Sequence, residues 1–291
     1  MIEEISLLDT FEAERPRLRA LAYRMLGSAA EAEDAVQDAW LRVDRADLSD
    51  VENLPAWLTT VVSRICLNLL RSRRARREDP LESLTTDWLG AADENRIPAE
   101  EAELADSVGL AMLVVLDRLS PAERIAFVLH DLFDVAFGDI AQMMERTPPA
   151  VRQLASRARA KVRGSEDPAP DPTRRRDAVD AYLAATRTGD FEALLTLLDP
   201  QVELRADPTV TGAHRPLTLE GALAVARSAL SAGPRARFTT LALVDGQPGL
   251  VMAPLGQLCL VMQFAFSESA ITAIDVTADP ARLATLDIGV V

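Results

Sequence analysis

Apolar residues recur at helical spacing through the first 163 positions of the chain. Leu18, Leu21, Ala22, Met25 and Leu26 mark one helix, ended by Gly27. Ser28 can cap the next, in which Ala35, Val36, Ala39, Trp40 and Val43 form an inner stripe. Asp34, Gln37, Asp38 and Leu41 fall on the outer side of that helix. A polar loop follows over 44–53, and Pro55 opens a third helix. Ser120-Pro121-x-Glu123 reads as a capping box with proline at the first helical position. Between 137 and 163 the pattern predicts two helices joined by a tight turn. The first carries Ile140, Ala141, Met143 and Met144; Thr147 is a suitable N-cap for the second, and Pro148 sits where a missing N–H costs nothing. Val151, Leu154, Ala155, Ala158 and Val162 then form a buried stripe, with Arg152, Gln153, Ser156, Arg157 and Arg159 on the other face.

The pattern changes after 173. Residues 174–198 read as helical around a break at Gly189, followed by a helix at 219–231 and strand-like segments at 201–206, 236–244, 249–253, 257–266 and 270–276. Helices followed by closely spaced strands predict a compact α+β domain with antiparallel pairing. The divisions are a helical unit at 8–79, a linker at 80–105 and a second helical unit at 106–163. A proline-bearing linker at 164–173 then leads into the α+β domain at 174–291.

Charge alters the picture more than composition does. The 291 residues carry a formal net charge of −14, which by itself argues against a nucleic-acid partner. The distribution reverses that reading. Residues 61–77 hold arginines 64, 71, 73, 74, 76 and 77 and no acid, and 148–163 hold four arginines and Lys161, again with no acid. The acidic residues concentrate in the segment between these two helices. A charge-segregated chain can bind phosphate locally while being acidic overall. Either basic helix taken alone fits a solvated amphipathic face as well as a DNA-reading one; together they favour a helix-turn-helix reader with a second DNA contact. No run approaches the length of a membrane span, and the acidic start lacks a signal-peptide pattern. Cys66 and Cys259 lie in separate apolar runs and read as reduced core residues, and with two histidines and no C-x-x-C no metal is expected.

AEAEDAVQDAWLRV at 30–43, LPAWLTTVVSRICLNLLRSRRARRE at 54–78 and the 137–163 segment resemble regions 2 and 4 of bacterial sigma factors. The group is the extracytoplasmic-function type of the sigma-70 superfamily, and RQLASRAR at 152–159 is similar to the subgroup with a C-terminal SnoaL-like, polyketide-cyclase-like extension. The fold implied is multidomain: two all-α sigma domains, a region 2 helical bundle and a region 4 helix-turn-helix, followed by an α+β cone. The resemblance implies a cytoplasmic factor without cofactor, whose partners are core RNA polymerase, through its clamp helices and flap, and promoter DNA. Asp34, Gln37, Asp38 and Leu41 would dock on polymerase. The loop at 44–54 would hold a base flipped out of the −10 element. Arg64, Arg71, Arg73, Arg74, Arg76 and Arg77 would track the opening strand, and Arg152, Gln153, Ser156, Arg157 and Arg159 would read the −35 element. The subgroup's Pro-rich linker motif and glycine-rich extension motif are replaced here by Trp88-Leu89-Gly90-Ala91 and RADPTVTGAHRP at 205–216.

Two roles for the extension compete. It packs on the sigma core and controls it, or it binds or converts a small ligand, for which His214, Asp207, Asp275 and Tyr182 are the candidate groups. No acid–base pair stands out from spacing, so no catalytic residue is assigned. A ligand-responsive repressor with one helix-turn-helix is the alternative to the sigma reading as a whole.

Overall fold

The computed structural model describes residues 4–43, 46, 48, 51, 53–76, 109–164, 171–211, 215–267 and 270–291; at 4–6, 73–76 and 255 it describes the backbone. Two compact units divide them. The first holds the described residues of 4–76 and 116–159, the second those of 109–115 and 160–291.

In the first unit, α1 (Glu4–Leu26), α2 (Ala29–Val43) and α3 (Leu54–Arg76) pack through Phe11, Leu18, Leu21 and Met25, Val36 and Ala39, and Leu58 and Val62. Gly27, at φ 74°, ends α1 with its N–H on the Tyr23 carbonyl at 2.8 Å. Asn53 starts α3, its Oδ1 accepting from the Ala56 N–H at 3.1 Å. Thr59 and Ser63 are buried in α3 and satisfy their hydroxyls by donating to carbonyls one turn back, Pro55 at 2.8 Å and Thr59 at 2.6 Å. Trp40 is half-buried with its ring 4.9 Å from that of Phe11, and Trp57 is also half-buried, as packing anchors would be.

A second helical series follows: α4 (Leu110–Arg118), α5 (Pro121–Phe127) continuing through a π-helical turn at Val128–Leu132, α6 (Phe137–Met144) and α7 (Pro148–Arg163). The capping box is present at α5: Glu123 accepts from the Ser120 N–H at 3.0 Å and donates its own N–H to the Ser120 hydroxyl. Helix α6 stops at Glu145, which takes the left-handed conformation at φ 56°, and the Arg146 N–H returns to the Ala141 carbonyl at 2.9 Å. That left-handed residue makes the turn between α6 and α7 tight.

The second unit is a helix and mixed-sheet domain. It contains α8 (Pro172–Thr188), α9 (Phe191–Leu197), β1 (Leu198–Ala206), β2 (Leu217–Glu220), α10 (Ala222–Ser231), β3 (Thr239–Val244), β4 (Gln247–Met252), β5 (Leu260–Ser267), β6 (Ala270–Thr277), α11 (Pro280–Leu283) and β7 (Ile288–Gly289). The strand order is β2-β1-β6-β5-β4-β3-β7. The expectation of purely antiparallel pairing is corrected here, because β1 runs parallel to β6, with Leu198 beside Ile271 and Ala206 beside Val276. Pairing between segments so distant in sequence leaves no short-range signature. Three smaller corrections follow. Residues 236–238 belong to a 3-10 turn (Gly233–Phe238), 219–220 are strand rather than helix, and Pro172, assigned to the linker, is the first residue of α8, capped by Asp171.

Strand alternation gives the sheet two apolar faces. Leu250, Met252 and Leu260 face a cluster closed by Val179, Tyr182 and Leu183 of α8, Leu194 of α9 and Val225, Ala226 and Ala229 of α10. Val251, Val261, Ala242 and Val244 face a second cluster with Leu283, Ile288, and Val114 and Val115 in the middle of α4. The end of α7 belongs to this unit too: the Val290 N–H donates to the Val162 carbonyl at 2.9 Å. Cys66 and Cys259 are buried free thiols whose pKa burial pushes up to about 12, as reduced core residues require. Among the described residues no helix is long and apolar enough to cross a membrane.

Candidate polymerase and promoter interfaces

Helix α2 buries Ala32, Ala35, Val36, Ala39 and Val43, and that packing turns Asp34, Gln37, Asp38 and Leu41 outward together. Leu41 is 47% exposed, one of few large apolar side chains so placed. Among the described residues neither Asp34 nor Asp38 has an ion-pair partner. Neighbouring Glu33 is used differently: it accepts from Arg15 at 3.0 Å and pairs with Arg19 at 3.4 Å, tying α2 to α1. The patch is thus acidic at its edges and apolar at Leu41, which suits a protein partner better than phosphate.

On α3, Arg64 and Arg71 are exposed two turns apart on one face, with exposed Asn68 between them. Asn68 was missed from sequence because it carries no charge; its spacing of four from Arg64 was the available signal. The backbone places Arg73, Arg74 and Arg76 in the last turns of α3, whereas Arg77 and most of the 44–54 loop lie outside the described residues. Arg71 Nη1 donates to Glu145 in the α6–α7 turn at 3.2 Å. Both side chains are largely exposed, at 49% and 77%, so the pair is worth about 1 kcal/mol or less and yields readily to a phosphate.

Helix α7 buries Val151, Ala155 and Ala158, and presents Arg152, Gln153, Ser156 and Arg157 to solvent. Among the described residues Arg152 and Arg157 carry no ion pair. Arg159 differs: it is half-buried and its Nε donates to Asp131 of the π-helical turn at 2.5 Å. That partner, 28 residues upstream, has no sequence signal. Helices α1 and α5 are also tied within this unit, since the Arg124 Nε donates to the Arg24 carbonyl at 2.8 Å. Phe133 lies beneath the Arg17 and Arg24 guanidiniums, at 5.3 and 5.7 Å from its ring centre.

The sigma-70 region 2 family model matches residues 10–76, and the sigma-70 region 4 model matches 110–162. Over 210 residues the chain is 38% identical to the probable ECF RNA polymerase sigma factor SigI of Mycobacterium tuberculosis, covering 70% of this chain and 72% of that one. Over 259 residues it is 38% identical to the ECF RNA polymerase sigma factor SigJ of the same organism, covering 84% and 80%. The chain belongs to the ECF RNA polymerase sigma factors. As such it directs transcription initiation, and the single-motif repressor alternative falls away. The crystal structure of Mycobacterium tuberculosis SigJ aligns at 30% identity over 95% of this sigma factor and 98% of that chain, with a TM-score of 0.41.

The C-terminal domain of this sigma factor places its three described candidate groups, Asp207, Asp275 and Tyr182, at different elements. Asp207 is structural. Burial opposes its charge, but N–H donors from Ala278 at 2.7 Å, Asp279 at 3.0 Å, Thr209 at 2.9 Å and Val210 at 3.3 Å hold its pKa below the usual carboxylate value. Asp275 is exposed, in register beside Arg205 of β1. His214 lies outside the described residues. Tyr182 lines a cavity, and burial alone raises its pKa.

Proposed function

We propose that regions 2 and 4 of this sigma factor divide promoter recognition between them in the cytoplasm. Arg64, Arg71, Arg73, Arg74, Arg76 and Arg77 follow the backbone of the opening −10 strand, while Arg152, Gln153, Ser156, Arg157 and Arg159 read the −35 duplex. Asp34, Gln37, Asp38 and Leu41 dock on core polymerase. The functional divisions are 8–79, 106–163 and 174–291, joined at 80–105 and 164–173, and the last of them modulates the first two. The observation that carries this reading is the exposed set Arg152, Gln153, Ser156 and Arg157, without an ion pair among the described residues, opposite the buried stripe of α7. Arginine grips guanine through two bonds, each good pair giving about 1–3 kcal/mol of discrimination.

The two promoter elements, 25 base pairs apart by name, are separated by roughly 85 Å of B-form duplex at 3.4 Å per pair. Direct contacts such as Arg124 with the Arg24 carbonyl join α1 and α5 far more closely than that. Reaching both elements therefore requires the α1–α5 attachment to open. The test is run-off transcription with core polymerase, beside binding of a −35 duplex by fluorescence anisotropy. Arg157→Ala should weaken −35 binding at least fivefold and flatten its sequence preference; unchanged affinity would refute the assignment.

A further inference from the structure

A cavity of about 230 Å³ lies inside the C-terminal domain, between α8, α10 and the face of the sheet that carries Leu250 and Met252. Its walls are mostly aliphatic. Their hydroxyls are mainly committed to the backbone: Thr186 donates to the Tyr182 carbonyl at 2.8 Å, Thr239 to the Arg235 carbonyl at 3.4 Å and Ser231 to the Ser228 carbonyl at 2.7 Å. The Ser228 and Tyr182 hydroxyls are the exceptions, and of these only Tyr182 is held deep in the wall. It is 2% exposed, its ring is fixed edge-on to Phe264 at 5.4 Å, and among the described residues nothing hydrogen-bonds its hydroxyl. A phenol set in the cavity wall without a protein partner must take its hydrogen bond from whatever occupies the cavity. Arg235 is the only charged group among the described lining residues; it is half-buried and carries interactions of its own. Neither a carboxylate nor an imidazole is among them.

We propose that this cavity is a binding site for a small, neutral, mainly apolar molecule bearing one hydrogen-bond acceptor, which takes the Tyr182 hydroxyl. An apolar cavity of roughly 150 Å³ holds a benzene ring, so this one fits a ring with a short substituent, on the order of ten heavy atoms. The acceptor is a ketone or ester oxygen rather than a carboxylate, because the walls are mostly aliphatic and Arg235, the one cation among the described lining residues, already carries interactions of its own. The site also has a route to region 4. Leu250 and Met252 line the cavity, while Val251, between them on β4, packs in the cluster that contains Val114 and Val115 of α4.

Acetophenone and α-methylstyrene make the discriminating pair of probes, because they share a shape and only the first has an acceptor. Ligand-observed NMR titration on the full chain, without polymerase or DNA, keeps the result separate from promoter reading. Acetophenone should bind saturably, with a dissociation constant in the millimolar range or tighter as its size allows. Tyr182→Phe should weaken it about threefold to tenfold and leave α-methylstyrene unchanged. Ala229→Leu, which fills the cavity from α10, should abolish both, with Ala206→Val as the filling variant if the first does not fold. Absence of saturable binding to the parent chain overturns the site, as does a Tyr182→Phe effect equal for both probes. Benzoate binding more tightly than acetophenone overturns the neutral class.

Discussion

Replacing Arg124 with alanine should loosen the attachment of α5 to the C-terminal end of α1. The guanidinium is 13% exposed and rests over Gly27, where an added Cβ would lie 3.5 Å from its Nη2. Its Nε bonds the Arg24 carbonyl at 2.8 Å, one of the last four carbonyls of α1, which no helical N–H can reach. A hydrogen bond to a charged donor is worth about 1.5–3 kcal/mol, part of it the attraction of a cation to the helix C-terminus. The ion pair with Asp117 adds little, since it spans 3.8 Å and Asp117 is 67% exposed. The expected loss is about 2 kcal/mol, which at a urea slope near 2 kcal/mol/M lowers the midpoint of the first unit by about 1 M. Trp40 and Trp57, both in that unit, report it by fluorescence once Trp88 is replaced by phenylalanine. Arg124→Lys should recover only part of the loss, because an ammonium lacks the planar fork. A midpoint within about 0.2 M of the parent would refute the reasoning.

Two further substitutions probe the C-terminal domain. Asp207→Ala leaves the Ala278, Asp279 and Thr209 N–H groups without their acceptor, while Val210 keeps the Asp207 main-chain carbonyl at 3.1 Å, and should cost about 2–3 kcal/mol in thermal unfolding of that domain. Because the folded pKa is depressed, the parent should hold that stability above about pH 4 and lose it as pH falls through the folded value; an identical pH profile in the variant would sink the assignment. Gly289→Ala places a Cβ 2.7 Å from the Arg163 carbonyl oxygen, so the C-terminal strand must move at a cost of about 1–3 kcal/mol. Hydrogen exchange at the Val290 amide, bonded to Val162, should then accelerate, and unchanged protection would contradict the contact.

Local chemistry in the sequence located most of the helical half. Gly27, Ser28 and the Ser120–Glu123 box act within four residues of where they stand, so helix ends were readable from them, whereas the Asn53 cap of α3 was read as loop. The outward sets on α2 and α7 followed from the buried stripes opposite them. Contacts between distant segments were not readable. Arg71 with Glu145 and Arg159 with Asp131 join residues 74 and 28 apart and give two candidate DNA contacts an internal partner. The sheet hid its parallel pair for the same reason, and β2 and β7, at four and two residues, are too short to show an alternation. Tyr182 was one of four candidate ligand groups in the sequence; that its hydroxyl is left without a partner depends on walls drawn from both helix and sheet.

The placement of Val114 and Val115 bears on how the C-terminal domain is best studied. Both are about 1% exposed, and the residues that cover them, Val251, Val261 and Ile288, all follow residue 240. A shortened chain ending near residue 167 would strip that cover and leave the middle of α4 with two bare valines, at about 1.5–2 kcal/mol each. Fraying there would loosen the helix with which the region 4 match begins. Lost promoter activity in such a chain would then report a damaged region 4 as readily as a missing regulator. Replacing Val114 and Val115 with polar residues in the truncated chain alone restores the distinction, because it resurfaces α4 without returning the domain.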